Sequence, residues 1–462
     1  MKRMLVTTIL VGLASSAKGG EKYDPTTLVF PSFLHTMGIR KATSLHLRIY
    51  TKNRVKARDP QGIAVVRLSS WDDPNKTKDD DEVTGYGVNS GENVIVYNTS
   101  MTSLGIYGLN ETGVKALKNP KGIAANEKGD VYLADTGNHR IVRFKNPSKR
   151  LLFVRAIGGR GALVGQFESP EGVALDSQSM VYVSDTGNHR IQIIRPDDTL
   201  HHWFGKQGVE QGQLWHPTGI AVSDRGERWS YYRDDFIVVI DLDQSRIQKF
   251  THTGKFLKAV SLKDLDMPAG HLGYLAIDYY SNIWVTDTAQ HQIHKFDHNL
   301  NYLTSFGRKG KGDKEFNEPR GIAIFRRFGQ VFVAEKESAQ YYWIGTDVFD
   351  FHGKWNQEFG VIELSFFLTE PSFVNLWLEP ENAGERLVLE KVKLLAGSHK
   401  IYLDDSYKQV SMRQMRRFKT NGSLSKLIPV SHANYEVKLK IEPTYSSYQY
   451  FSKEVTTRVE VR

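Results

Sequence analysis

The chain of 462 residues contains no cysteine, so it forms no disulfide, offers no thiolate for catalysis or metal binding, and carries no lipid on an N-terminal cysteine. Its stability must come from packing. A bilayer span takes roughly twenty apolar residues, and no run here reaches that length. Runs that favour helix are few. A Ser nucleophile elbow, a phosphate-binding Gly loop and a His-Glu-x-x-His zinc motif are all missing, which removes the enzyme classes that announce themselves by local motif. What remains is a β-rich composition, 40% hydrophobic with 39 Gly, 21 Tyr and 23 Phe, long enough for a large core and a second domain.

Residues 1–17 read as an export signal: Lys2 and Arg3, an apolar stretch from Met4 to Ala14, and small residues ending at Ala17. The mature chain would begin near Lys18, in the periplasm, at the cell surface or outside the cell. A net charge of +9 suits an anionic partner, although a solvated basic surface accounts for it as well. Export argues for a protein or polysaccharide partner over nucleic acid.

The heptapeptide Asp-Thr-Gly-Asn-His-Arg-Ile occupies 135–141 and recurs at 185–191, so the chain is an array of one unit. Aligned on it, an opening Pro-x-Gly-Ile/Val-Ala stands at Pro60 to Ala64, Pro120 to Ala124, Pro170 to Ala174, Pro217 to Ala221, a degenerate Leu272 to Ala276, and Pro319 to Ala323. The matching turns are Asn98 to Ser103, Asp135 to Arg140, Asp185 to Arg190, Asp241 to Arg246, Asp287 to Gln292 and Glu335 to Gln340. A strand-like segment precedes each opening, which gives four strands per unit, the size of one propeller blade. The first such segment, around Phe33 to Met37, has no unit ahead of it and is expected to complete the sixth.

This unit resembles the NHL repeat, and Asn138-His139-Arg140 and Asn188-His189-Arg190 are close variants of its signature turn. The resemblance implies an all-β fold, a six-bladed β-propeller over residues 28–362. It leaves activity open, because proteins with this fold include RNA-binding proteins, receptor ectodomains and a peptide-amidating lyase. Asp135, His139, Arg140, Asp185, His189, Arg190, Asp241, Arg246, Asp287 and His291 are read as structural, because a catalytic group is needed once and these recur. A three-His zinc site of His139, His189 and His291 is the competing reading.

Blade four carries an insertion with Arg228, Trp229, Tyr231, Tyr232 and Arg233, and Trp203 and Trp215 lie nearby in sequence. Interleaved Arg and aromatic residues suit a binding face, giving contact area and charge-assisted hydrogen bonds. Asp79, Asp80, Asp81 and Glu82, with Asp72 and Asp73, crowd an insertion in blade one and are the only candidate Ca²⁺ ligands the sequence offers. They lack EF-hand spacing, and a solvated acidic loop is the simpler reading. No cofactor is required.

Beyond Leu364 the repeat stops, and alternating strands at Phe373 to Leu378, Arg386 to Leu395, His399 to Leu403, Tyr435 to Ile441 and Val455 to Val461 imply a β-sandwich over 365–462. Ala396 to Asp404 with Asn434 to Val437 resembles the Ig-like module of flagellar hook-capping proteins, which implies docking or tethering; Leu403-Asp404-Asp405 stands where that module has Trp-Asp-Gly. Between 386 and 426, ten Lys or Arg face three Asp or Glu, a basic stretch suited to an anionic surface or simply solvated. The resulting expectation is an exported, non-catalytic recognition scaffold. The alternative is a metal-assisted lyase or hydrolase in the central channel.

Overall fold

The computed structural model describes residues 27–31, 40–70, 83–100, 103–268, 270–381, 384–403 and 434–460. The leader at 1–17, the segment Phe33 to Met37 and the acidic residues Asp79, Asp80, Asp81 and Glu82 lie outside them. The chain falls into two compact units, one spanning Phe30–Trp343 and a second in which Ile344 begins the C-terminal part. The expected boundary near 362–365 therefore moves to Ile344, because Val348–Asn356 pairs with Val361–Leu368 instead of continuing the repeat. No helix among the described residues is long and apolar enough to cross a membrane.

The first unit contains six antiparallel sheets among its described residues. The first sheet is Pro60–Val66, Thr84–Asn89, Val94–Ser100 and Ser103–Tyr107. The second is Ile123–Ala125, Asp130–Asp135, Arg140–Lys145 and Leu152–Ile157. The third is Val173–Leu175, Val181–Asp185, Arg190–Ile194 and Leu200–Phe204. The fourth is Pro217–Ser223, Phe236–Asp241, Arg246–Phe250 and Phe256–Ser261. The fifth is Leu272–Ile277, Ile283–Asp287, Gln292–Phe296 and Tyr302–Phe306. The sixth holds Ile322–Phe325, Gln330–Ala334 and Ser338–Ile344.

Burial explains why both faces of these strands are apolar. The second strands of the second to fifth sheets are buried at every position, whereas the outermost strand Leu200–Phe204 is mostly exposed. Apolar clusters join successive sheets: Tyr86 and Ile95 with Leu133 and Phe144, then Ala134 and Ile141 with Val173 and Val183. Ile191 and Ile193 pack with Val222 and Val239, and Val238 and Ile240 with Ile277 and Val285. Stacked sheets that share cores in this way bury side chains on both faces.

The first strands meet backbone to backbone. A Cβ on Gly62 would lie 2.6 Å from the carbonyl oxygen of Lys121, on Gly122 2.3 Å from that of Glu171, and on Gly172 2.1 Å from that of Thr218. On Gly219 it would lie 3.0 Å from the Gly273 oxygen, and on Gly321 2.2 Å from the Gln61 oxygen, back at the first sheet. Strand register places Tyr274 where the other units have this glycine, since Leu272 pairs with Asp287 as Pro217 pairs with Asp241. At that junction Thr286 Oγ1 donates to the Arg320 carbonyl at 2.6 Å.

In the sixth sheet, Lys41–Thr43 pairs antiparallel with Ser338, Ala339 and Gln340. This segment is tied there by Lys41 Nζ to Glu335 at 3.1 Å, and the expected closing segment, Phe33 to Met37, lies outside the described residues. Lys41–Thr43 leads into a short helix, Ser44–Tyr50, that the repeat pattern did not foreshadow.

The second unit has two sheets: Val348–Asn356, Val361–Leu368 and Gly397–Leu403, and a second of Arg386–Leu394, Ser372–Pro380, Tyr435–Pro443 and Lys453–Val459. Leu364, Ile401 and Leu403 from one pack with Leu376, Leu439 and Ile441 from the other in a single core. The alternating burial of Ser372–Pro380 is the period-2 pattern its sequence implied.

Replacing Gly321 by Ala is expected to cost about 1–3 kcal/mol, because the new methyl meets a backbone oxygen that cannot rotate away. Gly159, whose added Cβ meets nothing within 4 Å, is the control. Urea denaturation of both variants checks this, and equal midpoints would contradict it.

Candidate functional site

Each sheet has two ends, and they differ in chemistry. The turn between second and third strands sits at the same end as the segment entering the first strand. At this end a buried carboxylate gathers both segments. Asp135 accepts from the Lys118 N–H at 2.7 Å, Asn138 Nδ2 at 2.8 Å and Arg140 Nε at 2.8 Å. Asp185 accepts from the Glu168 N–H at 2.8 Å, Asn188, Arg190 and Gln192, and Asp241 from the Trp215 N–H at 2.7 Å, Arg246 and Gln248. Asp287 takes the His271 N–H and His294 Nε2 instead. Three donors around the buried carboxylates of Asp135 and Asp241, and four around that of Asp185, counter the desolvation of these groups.

The histidines of these turns link neighbouring sheets. His139, His189 and His291 adopt left-handed backbone with φ of 54°, 55° and 57°. Their Nδ1 atoms accept from the N–H groups of Ser169, His216 and Glu318, each in the next unit, at 3.0, 3.1 and 3.0 Å. They therefore serve three separate junctions. Among the described residues no group of three or more His, Asp or Glu converges on a metal position.

The turn of the first sheet is displaced from the expected Asn98 to Ser103. It is built from Asn89, a 3₁₀ turn at Ser90–Glu92, and Asn93 at φ 55°. Asn89 Oδ1 accepts the Arg58 N–H at 2.7 Å and Asn93 Oδ1 the Asn119 N–H at 2.6 Å, the roles of Asp and His elsewhere. Val94 follows where the other units have Arg or Gln. Without a guanidinium to pair, a buried carboxylate would be costly, and a neutral amide fits. Asn98 lies within the third strand, where its side chain bonds the Gly85 N–H and the Val83 carbonyl.

Where the first strands approach one another at this end, polar residues pair with one another. Lys121 Nζ lies 2.5 Å from Glu171, and Arg320 pairs with Asp59 and, at 3.2 Å, with Glu318. Tyr274 reaches from the fifth sheet to Gln61 of the first, hydroxyl to Oε1 at 3.3 Å. Burial, reinforced by the Glu171 carboxylate, holds its hydroxyl well above the ordinary tyrosine range.

The other end carries the connections between first and second strands, and here five sequence-flagged residues sit on one loop. Arg228 and Arg327 place their Cζ atoms 4.8 and 4.6 Å from the Trp229 ring centroid. Arg67, Ser69, Glu127 and Phe325 complete the lining of a shallow depression around them. Arg326 fastens the loop from beneath, donating to the Ile277 and Val222 carbonyls, both at 3.0 Å, and lying 3.4 Å from Glu227. Tyr231 donates its N–H to the Tyr279 carbonyl at 2.7 Å, Tyr232 stacks on His298 at 4.1 Å, and Arg233 Nη1 donates to the Arg225 carbonyl.

Trp203 and Trp215 do not join them. Trp215 lies at the turn end, where its N–H bonds Asp241, and Trp203 lies on the outermost strand with Arg190 over its ring. The expected single face is thus divided, because one length of strand carries these tryptophans to the far end of the sheet. Sequence reading missed Arg67 and Arg327. The signal was a basic residue just past two opening strands, after Val65-Val66 and after Ile324-Phe325.

The NHL repeat model matches residues 117–144 and 167–194. The chain carries NHL repeats of the β-propeller type. A search of curated proteins finds no match. Among solved structures, virginiamycin B lyase from Staphylococcus aureus is 16% identical, with 56% of this chain and 77% of that one covered and a TM-score of 0.40. A gluconolactonase from Xanthomonas campestris is 13% identical over 72% and 98%, TM-score 0.44, and a protein of unknown function from Bacteroides thetaiotaomicron 15% over 62% and 70%, TM-score 0.44.

Two of these histidines, His189 and His291, imply a pH dependence of the fold. Burial pushes His189 below its ordinary value, with His216 adding to the effect, and burial followed by Lys309 does the same to His291. The neutral rings are the ones that accept the N–H bonds, so their stabilisation is present above about pH 6.5 and is lost as pH falls below it. Asparagine already fills this position at Asn93 and tolerates left-handed backbone. Melting temperatures between about pH 7.5 and 5.5 should fall less steeply for a His189→Asn, His291→Asn double variant; parallel curves would refute the assignment.

Proposed function

We propose that the chain is an exported, six-bladed β-propeller with a C-terminal Ig-like domain, acting as a non-catalytic scaffold that binds an anionic partner at the loop end of its axis. The six sheets, each glycine or threonine junction leading to the next and the last returning to Gln61, support the blade count. Two sheets around one core support the Ig-like reading. Export rests on the sequence of residues 1–17 alone.

The observation that carries the binding role is the pair of guanidinium groups over Trp229 in a depression also lined by Arg67. Guanidinium forks bind carboxylate, sulfate or phosphate oxygens in pairs, and an indole beneath them orients the fork. The loop is anchored at Arg326, Tyr231 and Arg225, so little ordering entropy is lost on binding.

A lyase or hydrolase is the second reading, favoured by the gathering of Tyr274, Lys121, Glu171 and Arg320 near the axis at the turn end. Those groups already neutralise one another in pairs, which suits a structural plug better than a reactive site. On immobilised heparin, Arg228→Ala with Arg327→Ala should weaken binding at least about tenfold, since charge-assisted hydrogen bonds are worth about 1.5–3 kcal/mol each. Added salt should weaken the parent as well. Unchanged retention by the double variant would place the binding role elsewhere.

A further inference from the structure

We propose that the partner is an acidic polysaccharide, with one sugar ring lying on Tyr231 while its acidic groups reach the guanidinium groups at Trp229. This rests on the anion-binding reading above and adds the chemistry of the polymer between the charges. Tyr231 is 44% exposed and is two residues from Trp229 on the same anchored loop. It is backed by other rings: Tyr280, buried, at 5.3 Å, Tyr232 edge-on at 5.0 Å, and Tyr279 at 6.3 Å. Tyr232 is in turn fixed on His298.

An exposed tyrosine held this way offers a flat apolar surface with few rotamers left to lose. The C–H face of a pyranose can cover such a ring, and its hydroxyls can take up the polar rim provided by Arg225, whose side chain is exposed. An acidic peptide would satisfy the arginines equally well but has no flat ring-sized face for Tyr231. Uronate or sulfated sugars supply both, with negative charges repeating along the chain to match the arginines. Proximity in one rigid loop makes the two contacts simultaneous, so their contributions act together.

Full-length protein is titrated with polygalacturonate, with poly-glutamate as an acidic chain lacking sugar rings, and with neutral dextran. Polygalacturonate is expected to bind most tightly. Tyr231→Ala should weaken polygalacturonate about tenfold while leaving poly-glutamate unchanged, whereas Arg228→Ala should weaken both. Circular dichroism and melting confirm that each variant is folded. If poly-glutamate binds as well as polygalacturonate, or Tyr231→Ala weakens both equally or neither, the sugar assignment falls and the anion-binding reading stands. If neither polyanion binds the parent, both fall.

Discussion

Five glycines in or immediately before the first strands make close backbone approaches between sheets, with neighbouring carbonyl oxygens standing 2.1–3.0 Å from where a Cβ would be. Nothing larger than hydrogen fits there without moving main chain. This fixes the distance between successive sheets, and the apolar clusters between them fill to the density that distance allows. The one departure, Tyr274, is accommodated by turning its side chain to Gln61 across two sheets, and Thr286 takes over the junction. A full side chain at this crowded position thus becomes a link between the fifth sheet and the first.

The buried carboxylates solve the second problem, which is how each sheet holds the segment arriving from the one before. Asp135, Asp185 and Asp241 bind one backbone N–H of that segment and one arginine of their own turn, so the charge is neutralised within the unit and the hydrogen bond locks the connection. The left-handed histidines then carry the link forward to the following unit. Since the carboxylate serves several junctions and the histidine three of them, their residues recur, and recurrence is what made them legible in the sequence.

Legibility failed where the chemistry was satisfied by other atoms or by distant ones. The first turn could not be found at Asn89 because amides replace both the carboxylate and the imidazole, and Val94 removes the arginine, leaving no shared letter but the glycine. Trp203 and Trp215 lie close to the Trp229 loop in sequence, yet a strand of Pro217–Ser223 separates the ends at which they emerge. Arg67 and Arg327 are brought together with Trp229 from sheets far apart in the chain, a relation no local pattern encodes. The strand Val348–Asn356 was absorbed into the repeat because alternation alone does not say which sheet a strand will pair with.

The same constraints explain where binding can evolve. At the turn end every residue that varies would disturb a junction, so the units resemble one another and the polar groups pair among themselves. The connections from first to second strand carry none of the junction glycines and none of the turn carboxylates Asp135, Asp185, Asp241 and Asp287. The long insertion of the fourth unit, residues 224–235, falls in that connection. The aromatic-basic segment that stood out in the sequence is thus an elaboration of that connection, away from the junction glycines and turn carboxylates that hold neighbouring sheets together.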